Sequence, residues 1–234
     1  MRAFVAGATG YTGREVVREL RDRGVAVSAH VRPDSANLAQ WQERFEKLNA
    51  SIDTTPWQPA ALRSSLLRLQ PTLVFALLGT TRARARAAAE RGIDASYQAV
   101  DYGMTAMLLQ ATSQAKFIYL SSLGVSARTR NPYLAVRWRL ESELRASGLP
   151  YIIARPAFVT GSDRAEFRMG ERVAAVLSDA LLNAAALVGV RAPRERFAAL
   201  SGRQLARALV SAALNHDCRN VILEATQLRA LGKP

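Results

Sequence analysis
The first fifteen residues, Met1-Arg-Ala-Phe-Val-Ala-Gly7-Ala-Thr9-Gly10-Tyr11-Thr12-Gly13-Arg14-Glu15, constrain the fold more than any other part of the chain. An apolar run from Ala3 to Ala6 ends at a glycine, and a helical pattern starts just after Gly10. Gly7 lets a strand turn sharply, Gly10 lets a phosphate approach the backbone, and Gly13 lets the helix pack closely on the strand. The N–H groups of the helix's first turn then face the phosphate, where the helix dipole favours negative charge. The spacing is G-x-x-G-x-x-G rather than G-x-G-x-x-G, so its weight rests on the strand-before, helix-after context. The alternative is a tight strand-to-helix turn with no ligand.

Short apolar runs alternate with longer helical patterns along the rest of the chain, which predicts a parallel sheet built from βα units. The strands are expected at Ala3–Ala6, Val25–Val31, Ala50–Asp53, Leu73–Leu78, Phe117–Leu120 and Tyr151–Ala154, with Val221–Leu223 as a further candidate. Helices are expected over Tyr11–Arg23, Ala36–Leu48, from Pro59 through Leu69, Tyr97–Ala115, from Asn131-Pro132 to Ser147, Val173–Val190 and Ser201–Asn215. In the last of these, Leu205, Ala208, Leu209 and Ala212 recur at helical spacing and face inward. No repeat or low-complexity linker divides the 234 residues, so one α/β domain is expected, with residues 157–234 forming a small C-terminal cap on the substrate side.

Composition excludes more than it assigns. The hydrophobic fraction of 49% supports a large core, and no apolar run reaches membrane-spanning length. The N-terminus lacks a secretory pattern and Cys218 is the single cysteine, so a cytoplasmic, reducing location is expected. A net charge of +13 invites a nucleic-acid reading, but only Lys47, Lys116 and Lys233 of the 32 cationic residues are lysine. The arginines are diffuse, and even Arg82, Arg84, Arg86 and Arg91 are not interleaved with aromatics. Such a surface steers an anionic dinucleotide and adsorbs nucleic acid nonspecifically, without pointing to specific recognition. His30 and His216 lack metal-ligand spacing, and no metal site is expected. Met104, Met107 and Leu108 read as core, and neither a nucleophile elbow nor a Gly-Lys-Ser/Thr phosphate loop is present.

Two further segments bear on a dinucleotide. The second strand ends His30-Val31-Arg32, without the acid that usually holds a ribose 2′-hydroxyl. Arg32 offers a planar fork to a 2′-phosphate, which favours NADP(H); otherwise it is one more surface arginine. Leu78-Gly79-Thr80 ends the fourth strand, where glycine lets backbone pass beside a cofactor and threonine bonds ribose or phosphate; a strand terminator and helix cap is the structural alternative.

Gly7-Ala-Thr9-Gly10-Tyr11-Thr12-Gly13 resembles the signature of the extended and atypical short-chain dehydrogenase/reductases, especially the small NmrA-like and Tat-interacting-protein-like group. The likeness extends to Phe-Ile-Tyr-Leu-Ser-Ser122-Leu-Gly, to Tyr133-Leu-Ala-Val-Arg137, to Glu141, to Arg155-Pro156 and to Val-Ile-Leu-Glu224. It implies a Rossmann-type doubly wound sheet, with Gly7, Thr9, Gly10, Tyr11, Thr12, Gly13, Arg32, Leu78, Gly79, Thr80, Tyr133, Arg137 and Phe158 touching the cofactor. It also implies that Ser122 and Tyr133 polarise a carbonyl while residue 137, usually lysine, supports the tyrosine. Arg137 keeps the charge but cannot lose a proton. The family's asparagine on the preceding long helix is Asp101 here, whose charge can pair with Arg137. As structural alternatives, Tyr133 is a helix-start aromatic and Ser122 a capping hydroxyl. The expected activity is NADP(H)-dependent reduction of a small carbonyl compound. A noncatalytic NADPH-binding regulator acting on a protein partner is the alternative, and oligomeric state stays open.

Overall fold
The computed structural model describes residues 1–157, 159–160 and 200–233. In chain order these form β1 (Arg2–Ala6), α1 (Tyr11–Asp22), β2 (Ala26–His30), α2 (Leu38–Glu46), β3 (Ser51–Asp53), α3 (Pro59–Leu69), β4 (Leu73–Ala76) and α4 (Arg82–Ala89). A π-helical segment (Tyr97–Met104) then runs into α5 (Thr105–Ala111), followed by β5 (Lys116–Leu120), α6 (Pro132–Ala146), β6 (Tyr151–Arg155) and β7 (Val159–Thr160). The chain resumes with β8 (Leu200–Ser201), α7 (Gly202–Leu214), β9 (Val221–Glu224) and α8 (Ala225–Leu231).

Seven strands form one sheet in the order β3-β2-β1-β4-β5-β6-β9, and every neighbouring pair is parallel. The central strands are buried on both faces, as their unbroken apolar runs require. Their pleat divides the core in two. Val5, Phe75, Ile118 and Ile152 stand in register and pack with Val16, Val17 and Leu20 of α1 and Leu205 and Leu209 of α7. Phe4, Val74, Phe117 and Tyr119 project to the other face, against Leu62, Leu66, Leu108, Leu140 and Leu144. Each large apolar side chain buried this way contributes roughly 1.5–3 kcal/mol. The strand order reverses between β1 and β4, which opens the ligand crevice of doubly wound sheets at the carboxyl ends of those strands.

Three expectations change. The long helix over Tyr97–Ala115 is π-helical through Met104 and ends at Ala111. A wider turn shifts which side chains face inward, and it buries Asp101, whose carboxylate finds partners there; an apolar periodicity cannot report this. The fourth strand stops at Ala76 rather than Leu78, although the Leu77 N–H still donates to the Ala6 carbonyl at 3.0 Å. An unexpected helix, α8, begins with a reciprocal capping box between Glu224 and Gln227. The Val221–Leu223 strand is β9, at the sheet edge beside β6. Of the expected C-terminal cap, residues 200–233 join the sheet and the layer behind it, where α7 lies along α1 and Arg23 Nη2 donates to Ser211 Oγ at 3.2 Å. Residues 161–199, including the expected Val173–Val190 helix, lie outside the described residues. Among the described residues no helix is long and apolar enough to cross a membrane.

Candidate functional site
The turn from β1 into α1 is shaped by side chains that are not there. Gly7 has φ +80°, a conformation that L side chains rarely adopt, and a Cβ on it would lie 2.6 Å from the Leu77 carbonyl oxygen. A Cβ on Gly13 would lie 2.1 Å from the Gly7 carbonyl oxygen, so α1 sits directly on the turn. The Gly10 N–H closes the turn by donating to Gly7 O at 2.9 Å. Gly10 is also the N-cap of α1, with no side-chain cap and no acid in the first turn. A helix start without a capping carboxylate, reached over a surface that only glycine leaves low, fits the pyrophosphate of a dinucleotide. Thr9 and Thr12 are half-buried beside it. Tyr11 turns toward the C-terminal part, where its hydroxyl accepts the Gly202 N–H at 3.3 Å.

At the end of β2, His30 and Val31 are buried and Arg32 emerges, its Nε 3.8 Å from Asp34 Oδ1 with both side chains exposed. His30 is a wall residue. Its Nε2 lies 2.7 Å from the Thr55 carbonyl oxygen, and its ring meets Trp57 edge-on at 4.9 Å. Burial lowers its pKa, against the Thr55 hydrogen bond and Asp53, which raise it. Among the described residues no group of three or more His, Cys, Asp or Glu side chains could hold a metal.

The remaining candidates gather around Arg137, which α6 carries under the ends of β4 and β5. The α6 start is fixed by Asn131, whose Oδ1 accepts the Tyr133 N–H at 3.0 Å, and by Pro132 in the first turn. Arg137 Nη2 donates to Asp101 Oδ1 at 2.6 Å, and Nη1 donates to the Leu120 carbonyl at 2.5 Å and to the Tyr119 hydroxyl at 3.3 Å. Its Nε has no acceptor among the described residues. The second oxygen of Asp101 accepts the Thr80 N–H at 2.9 Å. Gly79 passes over this pair: a Cβ there would lie 3.3 Å from both Arg137 Nη2 and Asp101 Oδ1. The guanidinium also sits 4.7 Å from the Tyr133 ring centre, and Tyr97 meets that ring from the π-helical segment at 5.1 Å. Burial opposes the charge of Arg137, but Tyr133, Tyr119 and Asp101 outweigh it and raise the pKa above the ordinary arginine value. Burial likewise raises the pKa of Tyr119.

The structure therefore brings Tyr133, Arg137, Gly79 and Thr80 together. Ser122 is half-buried two residues beyond Leu120, and its hydroxyl makes no hydrogen bond among the described residues. Its neighbour Ser121 is committed elsewhere. Ser121 Oγ donates at 2.6 Å to Glu141, a fully buried carboxylate that also receives Arg155 Nε at 3.0 Å and Nη2 at 2.5 Å. Arg155 Nη1 reaches Glu224 of β9 at 3.1 Å, tying the ends of β5, β6 and β9 to α6. Phe158 lies outside the described residues, and Leu78 is half-buried on the approach to Gly79. Sequence reasoning missed Tyr97 and Tyr119 as members of this cluster. A tyrosine within the apolar strand Lys-Phe-Ile-Tyr-Leu was the available signal, since a buried phenol needs a partner.

A seven-stranded parallel sheet, a glycine turn at its switch point and a polar cluster at the strand ends define a Rossmann-type dinucleotide-binding domain. The chain belongs to the NAD(P)H-binding, atypical short-chain dehydrogenase/reductase family: the NAD(P)H-binding family model matches residues 7–178. It is 28% identical over 166 residues to the mitochondrial protein fmp52-1 of Aspergillus terreus, covering 67% of this chain and 66% of that one. It is 32% identical over 170 residues to the chloroplastic protein TIC 62 of Arabidopsis thaliana, covering 65% of this chain but 26% of that one. The chain thus matches about two thirds of the first relative's length and about a quarter of the second's. Among solved structures it resembles a putative NAD-dependent epimerase/dehydratase from Bacillus halodurans, with a TM-score of 0.65 at 16% identity, covering 98% of this chain and 99% of that one. It also resembles the UDP-glucose 4-epimerase of Thermus thermophilus in complex with NAD, with a TM-score of 0.63 at 17% identity, covering 100% and 84%. At these identities the structural likeness establishes the fold.

Proposed function
We propose that the chain is an NADP(H)-dependent oxidoreductase acting on a small carbonyl compound. The observation that carries this reading is Tyr133 lying against a buried, permanently charged guanidinium beside the Gly79–Thr80 loop. When bound, a reduced nicotinamide supplies the hydride. The glycine turn holds the pyrophosphate at the α1 N-terminus, and Gly79 lets backbone lie close to the cofactor's nicotinamide end. Tyr133 Oη gives its proton to the carbonyl oxygen, and Ser122 Oγ donates a hydrogen bond that orients the same atom. Support for NADP(H) over NAD(H) is local: β2 ends in two buried side chains followed by the exposed guanidinium of Arg32.

Binding and turnover test the reading together. NADPH should bind more tightly than NADH, and Arg32→Ala should remove most of the difference, about 1–3 kcal/mol for a lost charge-assisted contact. Equal wild-type affinities for the two dinucleotides would refute the NADP(H) assignment. Tyr133→Phe should leave NADPH binding intact and lower turnover by roughly 100-fold or more. Unchanged turnover in that variant removes Tyr133 from the chemistry.

A second reading, a noncatalytic NADPH-binding regulator, is favoured by one observation. The residue in the lysine's place is an arginine whose Nη groups are already engaged, so it cannot relay protons. In that case no carbonyl panel oxidises NADPH with the wild type, and NADPH instead alters protease sensitivity or oligomeric state.

A further inference from the structure
We propose that Asp101 and Arg137 form a positioning pair that sets the Gly79–Thr80 loop against Tyr133, and that neither carries a proton in turnover. This rests on the dinucleotide-binding reading above and adds the means by which the nicotinamide side of the site is held. The pair is buried, with side chains 0% and 5% exposed. Both carboxylate oxygens and both Nη groups of the pair have a structural task. Asp101 Oδ2 holds the backbone of the β4 loop through the Thr80 N–H, while Oδ1 takes the guanidinium. Nη1 holds the end of β5 through the Leu120 carbonyl, and the face of the same guanidinium underlies Tyr133. The loop after β4, the end of β5, the π-helical segment and α6 are therefore all referenced to one carboxylate–guanidinium contact.

The chemistry of the two groups argues against proton transfer and for geometry. A guanidinium does not deprotonate in a protein, and here its partners are a carboxylate, a carbonyl and a phenol in fixed directions. Its planar fork serves acceptors on two sides at once. A lysine at 137 would present its three donors from one tetrahedral nitrogen, so it would not meet Asp101 and Leu120 along the two directions of the present fork. The π-helical turn belongs to the same device, because it is the local departure from α geometry that carries Asp101. Loss of the fork should therefore loosen the loop and weaken dinucleotide affinity more than it slows the chemical step.

The test compares wild type, Arg137→Lys and Asp101→Asn by three measurements. Amide exchange at Thr80, read without dinucleotide, should be slow in the wild type and at least about tenfold faster in either variant, with β1 amides unchanged. NADPH titration should show affinity weakened roughly 10- to 100-fold, the range of a lost charge-assisted bond. At saturating NADPH, kcat should fall by a smaller factor than the affinity does, and the pH profile of Arg137→Lys, which keeps the charge beside Tyr133, should keep its shape. Should Asp101→Asn not fold, Arg137→Lys keeps the charge and decides the matter alone.

Wild-type affinity in Arg137→Lys, a raised kcat or a shifted pH profile overturns the positioning role. So does a wild-type Thr80 amide that exchanges like an exposed loop. A wild type that binds no dinucleotide overturns the functional reading as well, and is thereby distinguished from failure of the pair alone.

Discussion

The two halves of the sheet, on either side of the switch between β1 and β4, are held by opposite means. The β3-β2-β1 half ends in a turn whose form depends on missing atoms: the sites for Cβ on Gly7 and Gly13 are already occupied by backbone. Its buried polar side chains are few. His30 is bonded to Thr55, and Asp53 accepts Ser65 Oγ at 2.7 Å and the Thr55 N–H at 3.1 Å. The β4-β5-β6-β9 half ends in two buried ion pairs, Arg137 with Asp101 and Arg155 with Glu141. A region shaped by omission is damaged by adding an atom; one built on charge is damaged by deleting a partner.

The largest effect should come from deletion on the charged side. Glu141→Ala strips Arg155 and Ser121 of their common acceptor, and breaking a buried pair costs about 3–5 kcal/mol. For a chain of this size that is a fall in melting temperature of roughly 10 °C by scanning calorimetry. A fall below about 2 °C would show that Glu224 alone sustains Arg155.

Addition on the glycine side should cost less and should separate fold from binding. Gly13→Ala drives a Cβ into the Gly7 carbonyl and should cost about 1–3 kcal/mol together with dinucleotide affinity. The Cβ of Gly10→Val meets, among the described residues, only the Gly7 carbonyl oxygen, 3.1 Å away, so the variant should keep its helix content by circular dichroism while losing either dinucleotide. If Gly10→Val retains affinity, the pyrophosphate lies elsewhere and the comparison loses its functional half.

The smallest effect is a pH dependence confined to the glycine side. His30 has its pKa lowered from 6.5, first by burial, so above pH 6.5 it is neutral in the folded and unfolded chain alike. As pH falls below 6.5 the unfolded chain takes up the proton more readily, and stability declines until pH has passed below the folded-state pKa. His30→Gln should flatten this part of the acid slope. Denaturant midpoints at pH 7.5 and 5.5 check it, and a difference between the two proteins that does not change with pH would exclude His30 as the source.

The same division governs what could be read from sequence. The glycine turn and the strands were legible because their causes are local: three glycines at fixed spacing, and apolar runs of strand length bounded by breakers. The pairing of Asp101 with Arg137 was readable as a charge opposite a charge, but its placement was not, because the π-helical turn that carries Asp101 leaves no mark in an apolar periodicity. Ser121 and Ser122 are indistinguishable as letters. Only the fold gives the first to Glu141 and leaves the second at the strand end. Tyr97 meets Tyr133 across 36 residues of chain, a contact that neither segment announces.

The short parallel ladder in which Val159 pairs with Leu200 and Thr160 with Ser201 has a consequence for how such chains diversify. The polypeptide leaving the main sheet returns to within one strand spacing of its point of departure, so the chain enters and leaves residues 161–199 at neighbouring points. Insertions and deletions between residues 160 and 200 would thus leave the glycine turn and the ion pairs unstrained. Descendants of one ancestor could exchange this stretch wholesale, and with it whatever it faces, while inheriting the nucleotide half of the molecule unchanged.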